Sequence, residues 1–456
     1  MRSLAWTGTG RWLSQLLSWA STLIVARLLT PEDYGLVGMS SVFFFAIQSL
    51  GEFGLGAAII KHRELTREQI AQLNSVCLLF GLASAAVICA SAGPMSVFFS
   101  SPELYPVMLA TSTTFVISSF RTVPSGLLQR DLQFKRLAAI DIAQGLVLAV
   151  SVPTFAFLGF RYWSLVIGGV LSTLAGTVAL LLARPHGFAP PRSETIRGAT
   201  TFGGQVVVSR FGWYALFNAD FLVAGRTLGK AALGNYGFAW TLASLPVEKI
   251  SLLVTRVSLP FFSAVQQNKE ALKRYVLVMT EGLALVTFPA AVGIGLLADE
   301  IVPVALGKGW VAAIAPLRIL AIVAPMRSVA ALLPQLSTVV GRTAFAMYHS
   351  IGCAAVMALA FFVGSHWGTV GIAAAWALVY PLVLLPLLGV LLHDLRCSVL
   401  EYFGAMQAAL TGCLSLALVV IAMRSILPGS IPALARTGIE IGAGALTSAG
   451  TLWGLH

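Results

Sequence analysis

The chain is 456 residues long, 57% hydrophobic and 10% charged, with a mean hydropathy of +0.87. A soluble domain carries roughly 25% charged residues, so a soluble enzyme, a disordered chain and a disulfide scaffold are all excluded. The net charge of +11 suits positive loops on one membrane face better than nucleic acid. In lipid every backbone polar group must be satisfied internally. The long apolar runs therefore predict an all-α polytopic membrane protein, and a β-barrel, with its weaker alternating signal, is excluded.

A hydrocarbon core of about 30 Å needs about 20 apolar residues per helix. Fourteen segments qualify: 12–29, 35–60, 70–93, 104–125, 137–159, 162–183, 202–225, 231–262, 272–298, 312–340, 343–364, 367–392, 400–423 and 431–454. The N-terminus lacks an A-x-A cleavage site and runs into the first span, so no signal peptide is expected. The loop RDLQFKR, Arg130–Arg136, has the amphipathic pattern of a surface helix, which positive-inside bias also explains. The longest polar connection, Arg184–Thr201, reads as a linker followed by a helix start. The eighth span holds Pro246 and Pro260 and is expected to kink or split.

Cysteines 77, 89, 353, 397 and 413 form no CxxC pair, and the six histidines form no HExxH pattern. No cofactor or metal is expected, and no catalytic cluster is visible. Trp163, Trp310 and Trp367 fall near span ends and suit interfacial belts. Trp213, Trp240 and Trp376 lie deeper, where core packing and sugar stacking are both open.

The chain also resembles itself at an offset near 200. Val25–Gly35, with its Arg27 and closing Tyr34-Gly35, matches Val223–Gly237, with Arg226 and closing Tyr236-Gly237. Phe120-Arg121 recurs as Met326-Arg327, and Leu158-Gly159 before Trp163 recurs as Val363-Gly364 before Trp367. Spans one to six thus map onto seven to twelve in the same order. The expected organisation is a six-helix lobe over 1–199, a second over 200–399, and two further helices over 400–456. An even number of helices per repeat gives both halves one topology, the arrangement of parallel-repeat transporters.

Several motifs resemble those of the polysaccharide exporter and O-antigen flippase (Wzx-like, colanic-acid-exporter-type) branch of the multidrug/oligosaccharidyl-lipid/polysaccharide exporter superfamily. Ala26-Arg27-Leu28-Leu29-Thr30-Pro31-Glu32-Asp33-Tyr34-Gly35 is similar to its A-R-x-L-x-P-x-D-[FY]-G signature. Glu52-Phe53-Gly54 is similar to D-F-G, with Glu where Asp is usual. Asn218-Ala219-Asp220 with Gly225-Arg226, Arg256–Pro260 and Leu306–Trp310 resemble three further motifs. The resemblance covers residues 1–400 and is weaker beyond. It implies a flippase that moves an undecaprenyl-diphosphate-linked oligosaccharide from the cytoplasmic to the periplasmic leaflet for polysaccharide export. Implied partners are a proton or sodium gradient, membrane lipids, and a glycan polymerase with its chain-length regulator. Nucleic acid is not among them. A cation-coupled drug antiporter and a lipid II flippase of the same superfamily are alternatives, and a membrane-embedded glycan polymerase is a remote one.

Ionisable residues at membrane depth are costly and mark function. Arg121 and Arg327, repeat equivalents, are candidates to clamp a diphosphate through guanidinium forks; a snorkelling or same-lobe ion-pair role competes. Arg210 and Arg256 are further substrate-cavity candidates. Asp220, with Asn218 as a possible hydrogen-bonding neighbour, is the first candidate for ion coupling, followed by Glu52 and Glu281; a structural ion pair is the competing reading. Arg27 and Arg226 end helices, where a cation complements the macrodipole.

Sixteen cations (2, 11, 61, 63, 67, 130, 135, 136, 184, 192, 197, 269, 273, 274, 342 and 396) fall in one set of loops, and seven (27, 161, 226, 230, 308, 424 and 436) in the other. This asymmetry places the first set, and both termini, on the cytoplasmic side of the inner membrane. Reporter fusions after Arg67, Arg136 and Arg197 should report cytoplasm, and fusions near Glu103 and Lys230 periplasm. A periplasmic signal at Arg136 would overturn the span assignment.

Overall fold

In the computed structural model, residues 20–51, 59, 65–191 and 193–426 are described, with scattered residues from 436 to 450; side chains within 49–51, most of 193–217 and Arg256 are not. The described residues are helical, without strands. Eight stretches among them are long and apolar enough to cross a membrane, and one of these, Thr343–Asp394, contains two successive helices. The all-α polytopic expectation is met.

The chain forms two compact units, Met1–Gly234 and Asn235–His456. In the first, helix α1 (20–28) leads to α2 (Pro31–Gly51), α3 (Arg67–Phe98), α4 (Leu104–Arg130), α5 (Phe134–Phe157) and α6 (Tyr162–Ala183). α7 (Ser193–Ala264) begins there and continues into the second unit. The second unit adds α8 (Lys269–Leu296), α9 (Ala298–Ala305), α10 (Ile314–Ala330), α11 (Leu333–Val339), α12 (Thr343–Gly364), α13 (Gly368–Asp394), α14 (Val399–Gly404) and α15 (Gln407–Ile426).

Helix starts follow from local chemistry. At α2, Pro31 occupies the first helical position, where its missing N–H costs nothing. Thr30 Oγ1 accepts from the Asp33 N–H at 3.3 Å, while Asp33 Oδ2 accepts from the Thr30 N–H at 3.0 Å. This reciprocal pair satisfies two orphan donors. Thr66 with Gln69 does the same for α3, and Ser398 with Glu401 for α14. The basic loop after α4 is not a surface helix: Asp131–Gln133 form a turn in which Leu132 has φ 55°. In α7 the helix continues through Pro246 and Pro260, without the split expected there, and two helices meet at Gly229 (φ 81°, ψ −178°), in the connection expected between the seventh and eighth spans. Glycine carries that conformation without a Cβ clash.

Ion pairs join segments that alternating spans place at the same end. In the first unit, Arg161 reaches Asp33 at 3.3 Å and Lys230 reaches Glu103 at 3.0 Å, while Arg184 reaches Asp131 at 2.9 Å at the opposite end. In the second, Lys273–Glu401 (2.7 Å) and Arg342–Asp394 (2.7 Å) lie at one end, and Arg424–Glu300 (2.5 Å) with Arg318–Asp299 at the other. The outer faces are apolar: Leu182, Leu359, Leu378, Leu414 and Leu418 are all exposed, as a lipid-facing surface requires.

Gly35, of the first Tyr-Gly motif, and Gly234 make a close backbone crossing in the first unit. A Cβ on Gly35 would lie 1.7 Å from the Lys230 carbonyl oxygen, and a Cβ on Gly234 would lie 1.8 Å from that of Pro31. Both obstacles are backbone, so neither can swing aside. Gly35→Ala should therefore force the helices apart and destabilise the protein by about 1–3 kcal/mol, the range for overpacking. A lower thermal midpoint in detergent checks this; an unchanged midpoint would show that α2 and α7 do not touch there.

Candidate functional site

Arg121 lies in α4, half-buried, and its Nη1 donates to Gln144 Oε1 of α5 at 3.2 Å. Gln144 is itself held by α6. Ser172 Oγ donates to the Gln144 backbone carbonyl at 3.0 Å, and Gly176 leaves the space its amide fills, since a Cβ there would lie 2.4 Å from Oε1. Among the described residues no carboxylate lies within ion-pair distance of Arg121. The same-lobe ion pair considered for this residue is therefore absent, and a neutral amide holds the cation.

Arg327 lies in the second unit, near the end of α10. Its Nη1 donates to Ser244 Oγ of α7 at 3.0 Å. Its guanidinium carbon sits 3.9 Å from the ring centroid of Trp240 and 5.8 Å from that of Trp376. Trp240 and Trp376 are 5.1 Å apart, and Trp376 packs on Phe361 and Tyr380. Trp376 is thus a buried core residue and Trp240 a half-buried one with a face given to an arginine, and the Trp213 side chain lies outside the described residues. Trp310, expected at an interface, is buried against Phe238 at 4.4 Å; Trp367 is 70% exposed and does fit a belt.

Asp220 is fully buried in α7, and its Oδ1 accepts from the Phe221 N–H at 2.9 Å. Asn218 does not serve it: its Nδ2 donates to the Tyr214 carbonyl at 2.9 Å, one turn back. The Tyr214 hydroxyl in turn donates to the Val42 carbonyl of α2. Glu281 is half-buried in α8. Glu52 lies outside the described residues, as do the side chains of Arg210 and Arg256 within α7.

Arg226 takes the structural role that its helix-end position suggests. Its guanidinium lies 5.5 Å over Phe98 and donates to Ser100 Oγ at 3.4 Å. Beside it, the backbone N–H of Glu103, followed by Lys230, holds the Glu103 carboxyl below the usual carboxylate range. Gln144 and Ser244 are the site residues that sequence reasoning missed. A glutamine inside an apolar span, and a serine one helical turn from Trp240, were the available signals.

A helical membrane transporter is the class of protein that this fold and these embedded cations define. The chain belongs to the polysaccharide biosynthesis protein family, whose pattern it matches over residues 24–315. It is 24% identical over 452 residues to the teichuronic acid biosynthesis protein TuaB of Bacillus subtilis, covering 98% of this chain and 93% of that one. It is 23% identical to the lipopolysaccharide biosynthesis protein WzxC of Escherichia coli, over 66% of this chain and 62% of that protein. Its fold is that of the lipid II flippase MurJ in an inward closed conformation, with a TM-score of 0.77 at 13% identity over 99% of both chains. The exporter resemblance read from the motifs is borne out.

The obstacle to a side chain at Gly176 is the far end of Gln144, which can move. Gly176→Ala should push the amide off Arg121 with little change in thermal midpoint. Modification of Arg121 by phenylglyoxal, followed by mass spectrometry, should then quicken severalfold. An unchanged rate would mean that Gln144 does not hold Arg121.

Proposed function

We propose that this chain is a flippase: a secondary transporter that moves a lipid-linked oligosaccharide from the cytoplasmic to the periplasmic leaflet of a bacterial inner membrane for polysaccharide export. The observation that carries this reading is Arg121, an arginine in a membrane helix bound to an amide and not to a carboxylate. A cation so held keeps its charge for an anionic ligand, and a guanidinium fork matches phosphoryl oxygens.

The sequence repeat extends the reading. Arg327 is the equivalent residue in the second half, and in this reading it too is a candidate for the diphosphate of an undecaprenyl-linked glycan. The lobes 1–199 and 200–399 open alternately to the two sides, with both termini in the cytoplasm. The family membership and the flippase fold support this transport role over a membrane enzyme. Asp220, a buried carboxylate on α7, is the ion-coupling site in this scheme, and Arg210 and Arg256 line the substrate path.

The test is export of lipid-linked glycan in proteoliposomes. Arg121→Ala and Arg327→Ala should each lower it about tenfold or more, the scale of losing a hydrogen bond between charged groups, at unchanged protein abundance. Arg→Lys should rescue only in part, because an ammonium lacks the fork. Normal export by both Ala variants would refute the anion site. Asp220→Asn should fold and bind substrate but lose dependence on the pH gradient. Full dependence would move coupling to Glu52 or Glu281.

A further inference from the structure

The two repeat-equivalent arginines are held in different ways. Arg121 has one hydrogen bond, to the end of a flexible side chain, at 3.2 Å. Arg327 has a ring beneath it and a hydroxyl at its edge, and both come from one helix. Trp240 and Ser244 are four residues apart in α7, so they share a face. The guanidinium carbon lies over the ring at 3.9 Å from its centroid, and the bond to Ser244 at 3.0 Å holds one edge, so the group is held at two points. Trp240 is itself braced by Trp376 at 5.1 Å, and Trp376 is fully buried. Stacking on a ring engages the flat face of a guanidinium and none of its five N–H donors. It therefore orients the fork without occupying it.

We infer that Trp240 is a positioning residue for Arg327, and that it holds this guanidinium pre-organised for a phosphoryl group. This rests on the flippase reading, in which Arg327 receives a phosphoryl group. Its own content is that the Trp240 face sets that arginine's affinity. A side chain already held in its bound geometry loses less conformational freedom when a ligand arrives. A lysine in place of Arg327 gains little from the same face, since its point charge has no plane to orient. The two arginines should accordingly differ in their sensitivity to neighbouring substitutions.

The experiment is a double-mutant cycle on the full chain purified in detergent, with farnesyl diphosphate as the probe and calorimetry as the readout. Trp240→Met fills the volume without a π face and should weaken binding about tenfold, within the range of a desolvated cation–π contact. Trp240→Phe keeps a weaker face and should lose about threefold. In an Arg327→Lys background the Trp240→Met substitution should add nothing further. Additive losses, or full affinity of Trp240→Met, would overturn the inference. If Trp240→Met does not fold, Trp240→Phe decides alone: full affinity, or a loss that persists in the Arg327→Lys background, overturns the inference, and a loss that vanishes there supports it. Arg327→Ala separates the two levels. Full affinity for that variant removes the anion site and the flippase argument with it, whereas weak binding by Arg327→Ala with full binding by Trp240→Met removes the role of Trp240 alone.

Discussion

A lipid core offers no hydrogen-bond partner to anything within it. Every polar group that this chain carries at membrane depth must find its partner inside the protein, and that requirement orders the rest of the structure. It makes the described spans helical. It also turns hydroxyls inward: Thr287 Oγ1 bonds the Leu283 carbonyl at 2.6 Å and meets Ser328 Oγ at 2.8 Å, both fully buried. Where a charged residue is retained against this constraint, its partner shows what the charge is for. A carboxylate partner neutralises it. An amide or an aromatic face keeps it cationic.

The ion pairs fall on the first side of that distinction, and Arg121, held by the Gln144 amide, on the second. Arg342 holds Asp394 through two bonds, at 2.7 and 3.1 Å, at the end of a span where water can still reach. Such exposed pairs add little stability, but they tie consecutive helix ends together. Arg121 and Arg327 lie deeper and rest on Gln144, Ser244 and Trp240. The polar seam of α4, α5 and α6 and the aromatic seam of α7, α10 and α13 thus hold a guanidinium in different ways.

Much of this was legible in the sequence because the membrane simplifies the code. Apolar run length gave the helices, and the tandem motifs around Tyr34-Gly35 and Tyr236-Gly237 gave the repeat. Side-chain partnerships were less legible. Nothing local to Asn218 says that its amide turns back to the Tyr214 carbonyl and away from Asp220. Nothing local to Trp310 says that Phe238, far back along the chain, covers it. The helix continues through Pro246 and Pro260, where a kink or split was expected, and non-helical backbone falls at Gly229, in the connection expected between the seventh and eighth spans. The Trp310 contact depends on a distant helix, which a periodicity argument cannot see.

The crossing of Gly35 and Gly234 has a consequence for the genetics of this chain. In an ordinary core contact an enlarged side chain can be compensated by a smaller one opposite, so second-site revertants map to the partner. Here the facing atoms are the carbonyls of Lys230 and Pro31, and both crossing residues are already without side chains. There is nothing left on either strand of the contact to trim. A lesion at one glycine should be irreparable from the other, and suppressors, if they arise, should appear at a distance, in the turn around Gly229 that sets the approach of the helix.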